Sequence, residues 1–79
     1  MLGDYIKDPS YGLGKVIKLR FGNELVYFFK ANDNLHDGAI EPRACPNNHG
    51  WWFDSDDIKI MKCLPPLASL IERRHNENR

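Results

Sequence analysis

The chain has 79 residues, of which 42% are hydrophobic and 28% are charged, and its formal net charge at pH 7 is zero. This length suits one domain with no room for a second, and the balanced charge argues against a general nucleic-acid binder that neutralises phosphates. No segment approaches the roughly 18 apolar residues of a membrane span, and the first residues lack the apolar stretch of a secretory signal. We therefore expect a single cytoplasmic domain over residues 1–79, without a membrane partner.

The clearest pattern after an irregular start, residues 1–11, is a β-hairpin. Residues 15–21 alternate between apolar and basic side chains, which is typical of a half-buried strand. Gly22-Asn23 is a two-residue turn signal, and residues 24–30 predict the returning strand. The alternation places three apolar side chains on one face of the first strand: Ile17, Leu19 and Phe21.

The second half of the chain predicts shorter elements. A long connection over residues 31–50 is of the kind that often carries function. It leads to an aromatic strand at 51–53, an acidic turn at 54–57 and a last strand at 58–63, with Ile58 and Ile60 inward. Pro65-Pro66 then opens a helix over 65–75, because proline is tolerated in the first helical turn. Residues 76–79 are expected to form a tail.

Five motifs together resemble a known family of small barrels. They are Gly-Leu-Gly-Lys-Val-Ile (12–17), Val-Tyr-Phe-Phe (26–29), Leu-His-Asp-Gly (35–38), His-Gly-Trp-Trp-Phe (49–53) and Asp-Asp-Ile-Lys-Ile (56–60). Over residues 12–63 the chain resembles the SH3-like β-barrels of the mind-bomb and KOW kind, which include stand-alone bacterial and bacteriophage proteins. The resemblance implies a mainly β fold, with four to five antiparallel strands and a short C-terminal helix. It also implies a binding function without catalysis, either as a protein-binding module or as a small regulator or inhibitor of another protein.

Aromatic side chains are the first candidates for a binding surface. Neighbours in a strand point to opposite faces, so Trp51 and Phe53 share one side and Trp52 takes the other. Tyr11 and Tyr27 are expected to join them in a groove for a peptide. The alternative is that these rings pack in the small core.

Acidic side chains lie beside these aromatics. Asp54, Asp56 and Asp57 would give the groove a preference for a ligand with Lys or Arg, through charge pairing and cation–π contact. The alternative is a solvated turn whose side chains cap their own backbone. The spacing does not match a calcium loop.

The 31–50 connection supplies further candidates in His36, Asp37 and His49. With Cys45 and Cys63, the two histidines make up a Cys2His2 set that zinc accepts. The alternative is that the histidines stabilise the loop by hydrogen bonds. In a cytoplasmic protein the two cysteines are expected to stay reduced.

Two further possibilities concern partners. Lys15, Lys18, Arg20 and Lys30 lie on the first hairpin and would contact phosphates if the domain bound nucleic acid as KOW-like barrels do. The amphipathic C-terminal helix and the small core would also favour a homodimer. No catalytic or cofactor fingerprint is found, so we expect neither enzymatic activity nor a cofactor.

Overall fold

The computed structural model is a small, mainly β domain, and the structure describes residues 1–35, 45, 48–63 and 65–77. The described elements are, in chain order, β1 (Tyr5–Asp8), β2 (Gly12–Arg20), β3 (Asn23–Phe28), β4 (Gly50–Asp54), α1 (Ser55–Met61) and α2 (Pro65–Glu77). The four strands form one antiparallel sheet in chain order. The predicted mainly β fold with four antiparallel strands and a C-terminal helix is therefore confirmed, and the helix extends to Glu77.

The start of the chain, which the sequence predicts to be irregular, contains the first strand. β1 pairs with β2 from Tyr5 opposite Lys15 to Asp8 opposite Gly12. A strand of four residues is too short to show a clear alternation of apolar and polar side chains. Its pairing nevertheless buries the Ile6 side chain completely. Asp8 ends the strand and accepts hydrogen bonds from the backbone N–H groups of the turn predicted at 8–10.

The predicted hairpin is confirmed, but its turn lies one residue earlier and a bulge changes which residue of β2 faces the core. Val16 pairs with Val26 and Lys18 pairs with Leu25, so Ile17 is an extra residue in a β-bulge. Because one extra residue exchanges the two faces of a strand, Val16 enters the core before the bulge. Leu19 and Phe21, predicted to share one face with Ile17, are exposed and do not contribute to the core.

The hairpin turn consists of Phe21 and Gly22, both with positive φ, +32° and +82°. Two-residue hairpin turns of this type favour Asn, Asp or Gly at both positions. A residue with a Cβ pays about 1–2 kcal/mol for the left-handed conformation. The ring of Phe21 is fully exposed, so burial within the domain does not offset that cost.

Residues 54–63, predicted as an acidic turn and a final strand, contain helix α1 instead. Asp56 and Asp57 lie in its first turn, where carboxylates interact favourably with the helix dipole. Ile58 is buried and Met61 packs against the core one turn later, which is helical and not alternating spacing. Ile60, predicted to point inward, is 83% exposed.

The predicted fifth strand is reduced to one β-bridge. Lys62 pairs with Ile6 of β1, and the backbone N–H of Cys63 donates to the Tyr5 carbonyl at 3.0 Å. The chain that leaves α1 thus returns to the first strand.

The core lies between one face of the sheet and α1, which contacts both β1 and β4. Its buried side chains are Ile6, Val16, Val26, Phe28, Leu35 and Ile58. Leu35 and Cys45 show that the described parts of the 31–50 connection reach the interior. Within the described ranges, neither helix is long and apolar enough to cross a membrane.

Helix α2 contributes side chains to the opposite face of the sheet. Glu72 accepts a hydrogen bond from the Tyr5 hydroxyl at 2.7 Å and pairs with the Lys15 ammonium at 3.3 Å. Burial alone would lower the pKa of Lys15, but the hydrogen bond and charge of Glu72 outweigh it and raise that pKa. The ion pair therefore connects α2 to the middle of β2.

Candidate functional site

A cleft between α1 and the ends of β1 and β4 combines an apolar floor with two carboxylates. Its volume is about 230 Å³, and it is lined by Asp8, Phe53, Asp57, Ile60 and Met61. Phe53 and Met61 are half-buried against the core, whereas Ile60 is largely exposed. An exposed isoleucine beside a partly exposed phenyl ring leaves apolar surface in water that a ligand would cover.

Helix α1 positions one wall of this cleft. Asp57, Ile60 and Met61 are spaced i, i+3 and i+4, so their side chains lie on one side of the helix. Ile58 anchors the helix, because its side chain is 1% exposed within the core cluster.

Strand β1 supplies the facing carboxylate. Asp8 Oδ2 accepts the backbone N–H of Ser10 at 2.8 Å and that of Tyr11 at 2.9 Å. These two bonds hold the Asp8 side chain in one orientation at the end of the strand. The cleft therefore offers a fixed acceptor from β1 and a second acceptor from the exposed Asp57.

This combination has a defined chemical preference. The aliphatic stems of Lys and Arg cover apolar surface while their charged heads stay in polar surroundings. Carboxylates accept charge-assisted hydrogen bonds from those heads, and a phenyl face adds cation–π attraction. The cleft thus suits a basic side chain, or an apolar group with a positive charge next to it, better than an acidic side chain.

The predicted aromatic-acidic patch is divided by the sheet. Trp51 and Phe53 share one side, as predicted, and this is the core side, where they lie opposite Val26 and Glu24 of β3. Trp52 lies on the other face, where the Arg20 guanidinium is 4.7 Å from its ring centroid. Its buried indole N–H finds no hydrogen-bond acceptor in the part of the chain that the structure describes.

The predicted acidic residues also separate. Asp54 and Asp56 are exposed, and Asp56 lies 3.7 Å from the Lys59 ammonium. Asp57 alone of the three lines the cleft. Tyr11 packs against the core with its ring centroid 5.5 Å from that of Phe28.

Tyr27 and His49 meet on the outer face with His75 of α2. The Tyr27 and His49 rings stack at 5.0 Å with 11° between their planes. The Tyr27 hydroxyl lies 2.9 Å from His75 Nε2. His49 Nδ1 donates to the Phe28 carbonyl at 2.8 Å, so this cluster fastens α2 and β4 to β3.

The zinc hypothesis draws on residues that are described only in part. His36 and Asp37 lie outside the described residues, as does most of the 31–50 connection. Cys45 is buried, and neither it nor Cys63 forms a disulfide. Where residues are described, no group of three or more His, Cys, Asp and Glu side chains is arranged to hold a metal ion.

Two of the four basic residues of the first hairpin contact other side chains of the domain. Lys15 pairs with Glu72, and Arg20 lies over Trp52. A hollow of about 380 Å³ lies further along α2, lined by Ser69, Glu72, Arg73, Asn76 and Glu77. All five residues belong to one helix, so this hollow has no opposing wall.

Comparisons with protein-family models, curated proteins and solved structures find no match to this chain. The candidate site therefore depends on geometry alone. Sequence reasoning missed Asp8, Ile60 and Met61 as members of the site. Asp57, Ile60 and Met61 are spaced i, i+3 and i+4. This helical spacing is the signal in the sequence that places these three residues on one side of a helix and so in one site.

Proposed function

We propose that this chain is a non-catalytic protein-binding module that receives a Lys or Arg side chain of its partner in the Asp8–Asp57 cleft. The observation that carries the proposal is the pairing of two carboxylates with the apolar surface of Phe53, Ile60 and Met61. A regulator or inhibitor of another protein would use the same contact. The SH3-like resemblance agrees with such a role.

The ligand contact is expected to be weak when only one side chain is engaged. A single basic residue buries little area, and affinities near millimolar correspond to about 4 kcal/mol. Neighbouring partner residues would raise the affinity, while the exposed carboxylate of Asp57 and the partly exposed one of Asp8 would speed encounter with a basic surface.

The test uses short blocked peptides with one central arginine, and matched peptides with citrulline, the neutral isostere, at the same position. Titration followed by two-dimensional NMR should shift the amide signals of Asp57, Ile60 and Met61 with the arginine peptides. We expect Asp57→Asn to weaken binding at least threefold. Asp56→Asn is the matched control, because Asp56 is 92% exposed and does not line the cleft.

Two results would contradict the proposal. Equal binding of the citrulline peptides would show that the cleft does not recognise positive charge. Equal weakening by Asp56→Asn and Asp57→Asn would show that the effect comes from the general acidity of α1.

A further inference from the structure

The hairpin turn of β2 and β3 exposes an aromatic ring in a conformation that disfavours it. Phe21 has a φ of +32°, and its side chain is fully exposed. Asn or Gly would meet the same backbone requirement without strain. When a residue has a strained backbone and its side chain does not stabilise the fold, a functional role can be inferred for that residue.

The residues around this ring give it a recognisable character. Arg20 precedes it and is exposed, with its guanidinium over Trp52. Leu19 lies one position earlier and is 48% exposed. The turn thus presents an exposed phenyl ring next in the chain to an exposed arginine, and exposed aromatic and Arg side chains are the usual anchors of interfaces.

The Asp8–Asp57 cleft has the complementary character on the same chain. It offers an apolar floor for a ring and two carboxylates for a neighbouring cation. The turn does not fill the cleft of its own chain, because Phe21 remains fully exposed. The zero net charge of the chain leaves no overall repulsion between copies.

We infer that the chain self-associates head to tail, with Phe21 of one copy in the Asp8–Asp57 cleft of a second copy and Arg20 beside its carboxylates. The inference rests on the proposed function, since it uses the same cleft, and it names a second copy as one occupant. The two contacting surfaces differ, so the interface is heterologous and produces rings or open chains. Self-association then competes with a basic partner for the cleft.

The experiment measures sedimentation velocity of the full chain over a hundredfold range of concentration. The wild-type sedimentation coefficient should rise with concentration. Phe21→Asn should remain monomeric and at least as resistant to urea as the wild type, because Asn tolerates the left-handed conformation. Asp57→Lys should also remain monomeric, because it removes a carboxylate from the cleft and introduces a positive charge there that repels Arg20 of the second copy.

Mixing the two variants supplies the decisive control. Phe21→Asn keeps an intact cleft and Asp57→Lys keeps an intact turn, so the mixture should form one-to-one dimers that neither variant forms alone. Unfolding of either variant would not produce this complementation. A wild-type chain that is monomeric throughout, or association that survives Phe21→Asn, would overturn the inference.

The same samples separate this inference from the proposed function. Arginine peptides that bind a strictly monomeric wild-type chain would leave the proposed function standing and remove self-association. Association through Phe21 without peptide binding by the Phe21→Asn monomer would support self-association and remove recognition of a basic partner.

Discussion

Replacing Ile58 and Ile60 separately by alanine tests the helical assignment of residues 55–61. A strand would place both side chains on one face and make the two substitutions comparably costly. In the helix, Ile58 is 1% exposed and packs in the core, whereas Ile60 is 83% exposed. We therefore expect one severe variant and one nearly neutral variant.

The magnitudes follow from burial. Truncating a fully buried isoleucine to alanine costs about 2–5 kcal/mol, a large part of the stability of a small domain. Ile58→Ala should accordingly lower the melting temperature by about 8–40 °C, at about 4–8 °C per kcal/mol. Ile60→Ala should stay within about 0.5 kcal/mol of the wild type.

Urea unfolding followed by tryptophan fluorescence and circular dichroism provides the assay, with the slope of free energy against urea required to stay constant. Ile58→Val is the graded control and should lose about 0.5–1.5 kcal/mol. Equal losses for Ile58→Ala and Ile60→Ala would refute the helical packing of α1. Ile60→Ala should also weaken arginine-peptide binding without unfolding the domain.

Two further predictions concern the sheet and its outer face. Gly14→Ala should destabilise the domain by about 1–3 kcal/mol in urea unfolding, because the added Cβ would lie 2.7 Å from Val26 Cγ1 and 2.8 Å from the Tyr27 carbonyl oxygen; unchanged stability would contradict this packing. The Lys15–Glu72 pair raises the pKa of Lys15, so its stabilisation should be complete below the ordinary lysine pKa of about 10.4 and disappear as the pH rises through the higher folded-state value. Comparing wild type and Lys15→Met from neutral to strongly alkaline pH measures this, and a stability difference that stays constant with pH would refute it.

The hairpin shows what short-range patterns predict well. Alternating residues before a glycine turn and a run of apolar, mostly aromatic residues after it identified β2 and β3 correctly, because the pattern and the turn chemistry are local. The bulge at Ile17 was not visible, since Ile17, like Val16, is apolar and β-branched and either one fits the inward face. Only pairing with β3 decides that Val16 is buried.

Helix α1 shows where local patterns are ambiguous. Ile58 and Ile60 satisfy strand alternation, while Ile58 and Met61 satisfy helical spacing. The three aspartates read as a turn, yet Asp56 and Asp57 occupy the first turn of the helix. A seven-residue segment supports either interpretation until its packing against β1 and β4 is known.

The candidate site was predicted in part. The pattern of aromatic and acidic residues at 51–57 predicts Phe53 and Asp57. Asp8 is about fifty positions away from them in the sequence, and its own neighbours predict only a turn. It joins the site because β1 and α1 are neighbours in space. Trp52 was grouped with the site by sequence, but the strand's own alternation turns it to the opposite face.

The bridge between Ile6 and Lys62 has a consequence for how the domain folds. The first strand is complete only when residues near the end of the chain reach it, and the Tyr5–Glu72 hydrogen bond spans 67 positions. Closing such long loops costs entropy before the contacts compensate for it, so folding is slower than in proteins built from local contacts. The two ends of the chain then stabilise each other, and the sheet is expected to open as a whole and not strand by strand.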